Sequence, residues 1–222
     1  MLTEAEWRIS DDLQAMLAIL RGNPCASERK LRLYACICAE SAITQLSKRA
    51  EYEHILSTAE RWAEGLEQPD EVQRSWDVGV TLELNTPIEA HLAAAVTDTL
   101  QTEAYLAACG TVTDLDVFAQ LSQRHFDPKP YADLLRCIFG IPYRGFNVGF
   151  RLIRLDPQWR TSDVVALARG IYDDRAFDRM PILADALQDA DCRSEDILTH
   201  CRDTSTPHAR GCWVVDLVLG KA

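Results

Sequence analysis

The densest group of chemically capable side chains lies near the C-terminus, where Cys192, His200, Cys201, His208 and Cys212 fall within 21 residues. Thiolate and imidazole are what a tetrahedral zinc site takes, and it takes four of them. His208 and Cys212, four apart, share a face if the segment is helical. Cys192 with either His200 or Cys201 completes a set, and the candidate metal ligands are Cys192, Cys201, His208 and Cys212. The spacing is not a tight paired-ligand pattern. The same segment admits a second chemistry. On a helix, His208, Cys212 and Asp216 would span about 80°, and a cysteine beside a histidine at a helix N-terminus is a nucleophile if its thiol is depressed. The neighbours Trp213, Val214 and Val215 predict burial, which argues against substrate access, so no catalytic residue is assigned. The plainest alternative is that the cysteines pack as small hydrophobes while the histidines hydrogen-bond near helix ends.

A second segment with distinctive chemistry runs over 136–160. It carries Arg136, Arg144, Arg151, Arg154 and Arg160 against a single acid, Asp156, with Phe139, Tyr143, Phe146, Phe150 and Trp159 interleaved. Arginines with aromatics are what a single-strand nucleic-acid groove uses, and Arg144, Arg151, Arg154, Tyr143 and Phe146 are the candidate anion or nucleic-acid contacts. The simpler reading is a glycine-punctuated connector whose aromatics pin it to the core. The whole chain carries a net charge of −11, which disfavours a phosphate backbone as partner.

Most of the remaining cysteines read as core. Cys36, Cys38, Cys109 and Cys137 sit among apolar neighbours, and no Cys-x-x-Cys occurs. Nor does a phosphate-binding glycine loop, a Gly-x-Ser-x-Gly elbow or a His-Glu-x-x-His.

The elements that must position these groups read as helices. Thr3 and Glu6 have the form of a capping box. Leu13, Met16, Leu17 and Leu20 follow helical spacing up to Gly22, Asn23 and Pro24. Leu31, Tyr34, Ala35, Cys38 and Ala42 make a second stripe, and Tyr52, Ile55, Leu56, Ala59 and Trp62 a third. Thr86, Pro87 and Glu89 open a long helix predicted to reach about Ala108. Further stripes run over Val164, Ala168, Ile171 and Tyr172 and over Ile182, Leu183, Ala186 and Leu187, and a last helix is expected from near His208. Val78, Val80, Leu82 and Leu84 alternate with a period of two. With Phe150 to Leu155 they leave one short β-hairpin open, against an irregular connection or a helix.

With 222 residues, 47% hydrophobic and 26% charged, the composition is that of a globular protein. No apolar run is long enough to cross a bilayer and no secretory signal is visible, so a cytoplasmic protein with no membrane partner is expected. The predicted fold is all-α: a helical bundle over 1–135, the connector over 136–160, and a helical hairpin array over 161–222.

Several blocks resemble a large uncharacterised bacterial paralogue family of the planctomycete type. They include Asp133-Leu134-Leu135-Arg136, Ile138-Phe139-Gly140-Ile141-Pro142-Tyr143-Arg144, Arg175-Ala176-Phe177-Asp178-Arg179-Met180-Pro181-Ile182-Leu183 and Arg210-Gly211-Cys212-Trp213-Val214-Val215-Asp216. Thr3-Glu4-Ala5-Glu6-Trp7 matches the family's usual beginning. The stretch from Ser75 to Phe126 departs from its pattern. The resemblance implies kinship and no activity. The reading is a non-enzymatic protein-interaction or regulatory module without a cofactor. The alternatives are a zinc-binding protein using the C-terminal cluster and a single-strand nucleic-acid binder using the connector.

Overall fold

The computed structural model describes residues 2–82, 86–142 and 155–221. Those residues form twelve α-helices and three short 3-10 turns, with no strand among them. The protein is therefore all-helical, as expected. No described helix is long and apolar enough to cross a membrane.

The helices are α1 (Glu4–Ile9), α2 (Leu13–Leu20), α3 (Glu28–Ile43), α4 (Arg49–Ala63), α5 (Pro69–Thr81), α6 (Glu89–Thr97), α7 (Ala104–Leu121), α8 (Lys129–Phe139), α9 (Ser162–Asp173), α10 (Met180–Asp189), α11 (Glu195–Arg202) and α12 (Trp213–Leu219). They divide into two compact units, one of Asp11–Tyr131 and one of Met1–Ser10 with Ala132–Ala222.

The division differs from the predicted one in a way the side chains explain. The first ten residues join the C-terminal unit rather than the bundle that follows them. Trp7 is buried, and its Nε1–H donates to the Gly140 carbonyl at 2.9 Å. The Arg136 guanidinium donates to the carbonyls of Trp7 and Ser10 while pairing with Asp133 at 2.7 Å. One planar fork thus closes α1 onto α8, a use to which arginine is better suited than lysine. Thr3 and Glu6 form the predicted capping box.

In the Asp11–Tyr131 unit α3 is the hub, packed on α4, α6 and α7. Its buried face carries Tyr34, Ala35, Cys38 and Ala42, as the periodicity predicts. It also buries Arg32, whose guanidinium donates to the Thr99 and Thr102 carbonyls and lies 3.6 Å from the Trp62 ring centroid. That arrangement corrects the long helix expected from Pro87. The chain leaves α6 at Thr97, makes a 3-10 turn over Asp98–Leu100 and restarts at Ala104, and Arg32 takes carbonyls of the break. A buried carbonyl without a partner is costly, so the interruption depends on a residue about seventy positions away.

The hairpin alternative is also corrected. Val78 to Thr81 are the last residues of α5, while Glu83 to Asn85 and 150–154 lie outside the described residues. The stripe that α5 buries is Val72, Ser75 and Gly79, spaced i, i+3 and i+7. Two of the three are small, so an apolar count sees instead the exposed Val78 and Val80. A Cβ on Gly79 would stand 2.6 Å from Thr97 Oγ1, so only glycine allows α5 this close to α6.

In the other unit, α9 packs against α10 and α12, and α10 against α11. Its core gathers Val164, Ala168, Ile171, Met180, Leu183, Leu187, Val214 and Val218. At about 1.5–3 kcal/mol for each large aliphatic side chain removed from water, this cluster supplies much of the drive that orders 155–221. Thr161 caps α9, accepting the Val164 N–H, and Pro181 falls in the first turn of α10.

Candidate functional site

Cys137, His200, His208 and Cys212 bring their ligand atoms within 4.8 Å of one another, all in the unit that contains α8 to α12. Each reaches the site from a different local structure. Cys137 is on the last turn of α8, which ends as Gly140 enters the left-handed region at φ +61° and its N–H bonds the Arg136 carbonyl. A side chain there would also crowd the Trp213 ring, which lies 3.3 Å from the position of a Cβ. His200 is on α11. His208 and Cys212 belong to the loop between α11 and α12.

That loop corrects the expected helix from His208. The regular turns start only at Trp213, and Cys212 stands at the N-cap. Gly211 at φ +87° and a bond from the Cys212 N–H to the Ala209 carbonyl make a tight turn instead. His208 and Cys212 therefore do not share a helical face, yet the turn brings both to one point.

The loop is braced from its other end. The Asp203 carboxylate accepts from the Ser205 N–H and from the hydroxyls of Ser205 and Thr206. Although its partial burial opposes ionisation, these bonds hold the carboxyl down at about 2. The carbonyl of the same residue sits 2.9 Å from His208 Nε2. A carbonyl has no proton to give, so Nε2 carries a hydrogen and Nδ1 is the nitrogen turned toward the sulfurs. His208 Nδ1 lies 3.7 Å from Cys137 Sγ, and His200 Nε2 lies 3.2 Å from Cys212 Sγ. The two imidazoles meet edge to face with centroids 4.8 Å apart, and the Trp213 ring tilts against His200 at 5.2 Å.

The electrostatics follow from these neighbours. Burial pushes the Cys212 thiol up, but the hydrogen bond from Cys137 and those from His200 and His208 outweigh it and hold the thiol well below its ordinary range. Burial pushes His208 down, and its contacts with Cys212 and Asp203 raise it above the ordinary histidine value. Cys212 thus leans toward thiolate and His208 toward imidazolium. The first is the ligand form, and the second has one proton that a metal would displace.

The distances suit a small ion. Zinc–sulfur bonds of about 2.3 Å and zinc–nitrogen bonds of about 2.0–2.1 Å give tetrahedral edges of roughly 3.3–3.8 Å. The Cys137–His208 pair at 3.7 Å lies inside that range and the His200–Cys212 pair at 3.2 Å just short of it, while the group as a whole, within 4.8 Å, would close by up to about 1 Å around the ion.

Of the four sequence candidates, the structure brings His208 and Cys212 together and leaves Cys192 and Cys201 out of the group. Both of these pack in the core, Cys201 with no exposure. Burial raises the Cys201 thiol, and the nearby Cys212 and Cys192 raise it further. On α11 the residue that faces Cys212 is His200, not its neighbour Cys201. Cys137 replaces Cys192, and its sequence surroundings, Leu134, Leu135 and Ile138, are those of a core cysteine. No local signal separates it from Cys36 or Cys38. All eight cysteines are thiols. The candidate nucleic-acid contacts Arg144, Arg151, Arg154, Tyr143 and Phe146 lie outside the described residues.

Beside the site opens a cavity of about 420 Å³, lined by Cys137, His200, Trp213, Trp7, Asp133 and Asp203 among others. Cys212 and His208 are not part of its wall. Comparison with protein-family models, with curated proteins and with solved structures finds no match to this chain.

Proposed function

We propose that the protein binds one zinc ion through Cys137 Sγ, His200 Nε2, His208 Nδ1 and Cys212 Sγ, and that the ion ties α8, α11 and the loop before α12 into one scaffold. The observation that carries the reading is the convergence of two thiols and two imidazoles within 4.8 Å, from segments far apart in the chain. Two sulfurs and two nitrogens in a tetrahedral set favour zinc over harder or octahedral ions. The His208–Asp203 bond that fixes the tautomer is the support zinc-bound histidines ordinarily have.

Four protein ligands leave no open coordination position, so the ion's role is structural rather than hydrolytic. This agrees with a non-enzymatic interaction module. Its C-terminal part is read as a helical hairpin array, for which the pairing of α9 with α10 and α10 with α11 is the support. Kinship with the planctomycete-type family rests on the motifs quoted above.

Elemental analysis of protein purified without chelators tests the proposal. About one zinc per chain is expected, lost in the Cys137→Ala/Cys212→Ala double variant. Full-length protein that takes up less than about a tenth of an equivalent, even after incubation with excess zinc, would end it.

A further inference from the structure

We propose that Cys137 and Cys212 are a redox-active pair, closed to a disulfide by a hydroperoxide that enters through the neighbouring cavity, with release of the metal. The inference rests on the zinc reading for the release step and on geometry alone for the pairing.

Three observations carry it. The two sulfurs belong to one group whose ligand atoms lie within 4.8 Å, and they are its only thiols. They are unequal in access, because Cys137 lines the cavity wall and Cys212 stands behind it. The cavity's volume of about 420 Å³ is many times the roughly 30 Å³ of a water molecule, so a small peroxide fits where a protein-sized oxidant does not. The first sulfur to react with the peroxide is therefore Cys137, and Cys212 acts second, at short range, from a fully buried position.

The chemistry balances with hydrogen peroxide as the oxidant. The Cys137 thiolate attacks one peroxide oxygen, the O–O bond breaks, and Cys137 sulfenic acid and hydroxide result. The Cys212 thiolate then attacks the Cys137 sulfur, the S–O bond breaks, and a second hydroxide leaves as the disulfide forms. Two thiolates lose two electrons, and the peroxide gains them. A disulfide sulfur is a poor zinc ligand, so only the two imidazoles remain and the ion departs.

The experiment treats zinc-loaded full-length protein with hydrogen peroxide. It follows zinc with a chromogenic chelator and maps disulfides by mass spectrometry after alkylation. The expected result is a peptide pair linking Cys137 to Cys212, about one zinc released per link, and recovery of both thiols and zinc binding after a dithiol reductant. Cys201→Ser should leave the link intact, and Cys137→Ser should abolish it. The same map is made on metal-free protein, which separates the two ideas. A chain that takes no zinc but forms the link defeats the metal site and leaves the pairing standing. A chain that binds zinc and yields only sulfinic acid, or a link through Cys201 or Cys192, overturns the pair.

Discussion

Cys36 on α3 and Cys212 before α12 have the same side chain and the same complete burial, yet the structure pushes their thiols in opposite directions. In the Asp11–Tyr131 unit, burial raises Cys36 far above its ordinary value, with Glu60 adding to it and only Arg32 opposing. Cys38 behaves likewise under burial. In the other unit burial acts on Cys212 in the same sense and is overcome by the Cys137 thiol and two imidazoles. Burial alone makes a cysteine a small inert hydrophobe, whereas converging donors favour the thiolate, the form a metal would take. The first unit applies the same physics to a cation. Burial lowers Arg32 to about 10, still charged at neutral pH, and the carbonyls of Thr99 and Thr102 with the face of Trp62 hold it in place.

The largest expected effect tests whether the proposed zinc site serves one unit only. Cys212→Ala should weaken zinc affinity by more than about 100-fold, since even a supporting bond to a ligand is worth 10–100-fold. Zinc at a thousandfold excess over Kd should stabilise the site's unit by about 4 kcal/mol. Hydrogen exchange should show protection gained in α8, α11 and α12 and unchanged in α3. Equal loosening of α3 on chelation would break the comparison.

Next is the buried cation. Arg32→Met should cost about 2–4 kcal/mol, because the carbonyls of Thr99 and Thr102 lose their donors and Trp62 its stacked guanidinium. Zinc content should not change, which denaturant unfolding beside elemental analysis would check.

Acidification sharpens the contrast further. Zinc binding must displace protons from His208 and the thiols, so affinity should fall roughly tenfold per pH unit for each proton released, as a competing dye would report. Arg32 should be indifferent over the same range. Asp203 adds a separate acid limb. Its folded carboxyl is depressed to about 2, so its contribution is present above an unfolded value of about 3.9 and is lost as pH falls through about 2. Unfolding measured between those values would reveal it, and Asp203→Asn should flatten that limb.

Smaller effects follow at the edges of the site. Trp7→Phe removes the bond to the Gly140 carbonyl and should cost about 1 kcal/mol. Cys201→Ala should change zinc affinity by less than about twofold, since a core cysteine beside the site is not a ligand. A larger loss would return Cys201 to the ligand set.

How much of this was legible differs between fold and site. The cap of α1, the stripes of α3, α4 and α9, and Pro181 in the first turn of α10 all stand in the sequence, because each depends on residues within one or two turns. The break after α6 does not, because Arg32 satisfies it from another helix. The burial of α5 through Ser75 and Gly79 does not either, because small residues carry no hydrophobic signal. At the site, the density of cysteine and histidine marks the C-terminal segment, which supplies His208 and Cys212. Cys201 and His200 are adjacent, and only the packing of α11 decides which of them faces Cys212.

The sequence by itself determined that the chain is helical, where most helices begin, and that Cys and His concentrate near the C-terminus, all of which follow from short-range spacing. The tertiary structure alone decided that Cys137 meets Cys212 across 75 positions of chain, that Cys192 and Cys201 stay in the core, and that His208 presents Nδ1 rather than Nε2. Those outcomes depend on which helices pack together and on one carbonyl at Asp203, and neither leaves a periodic trace in the order of residues.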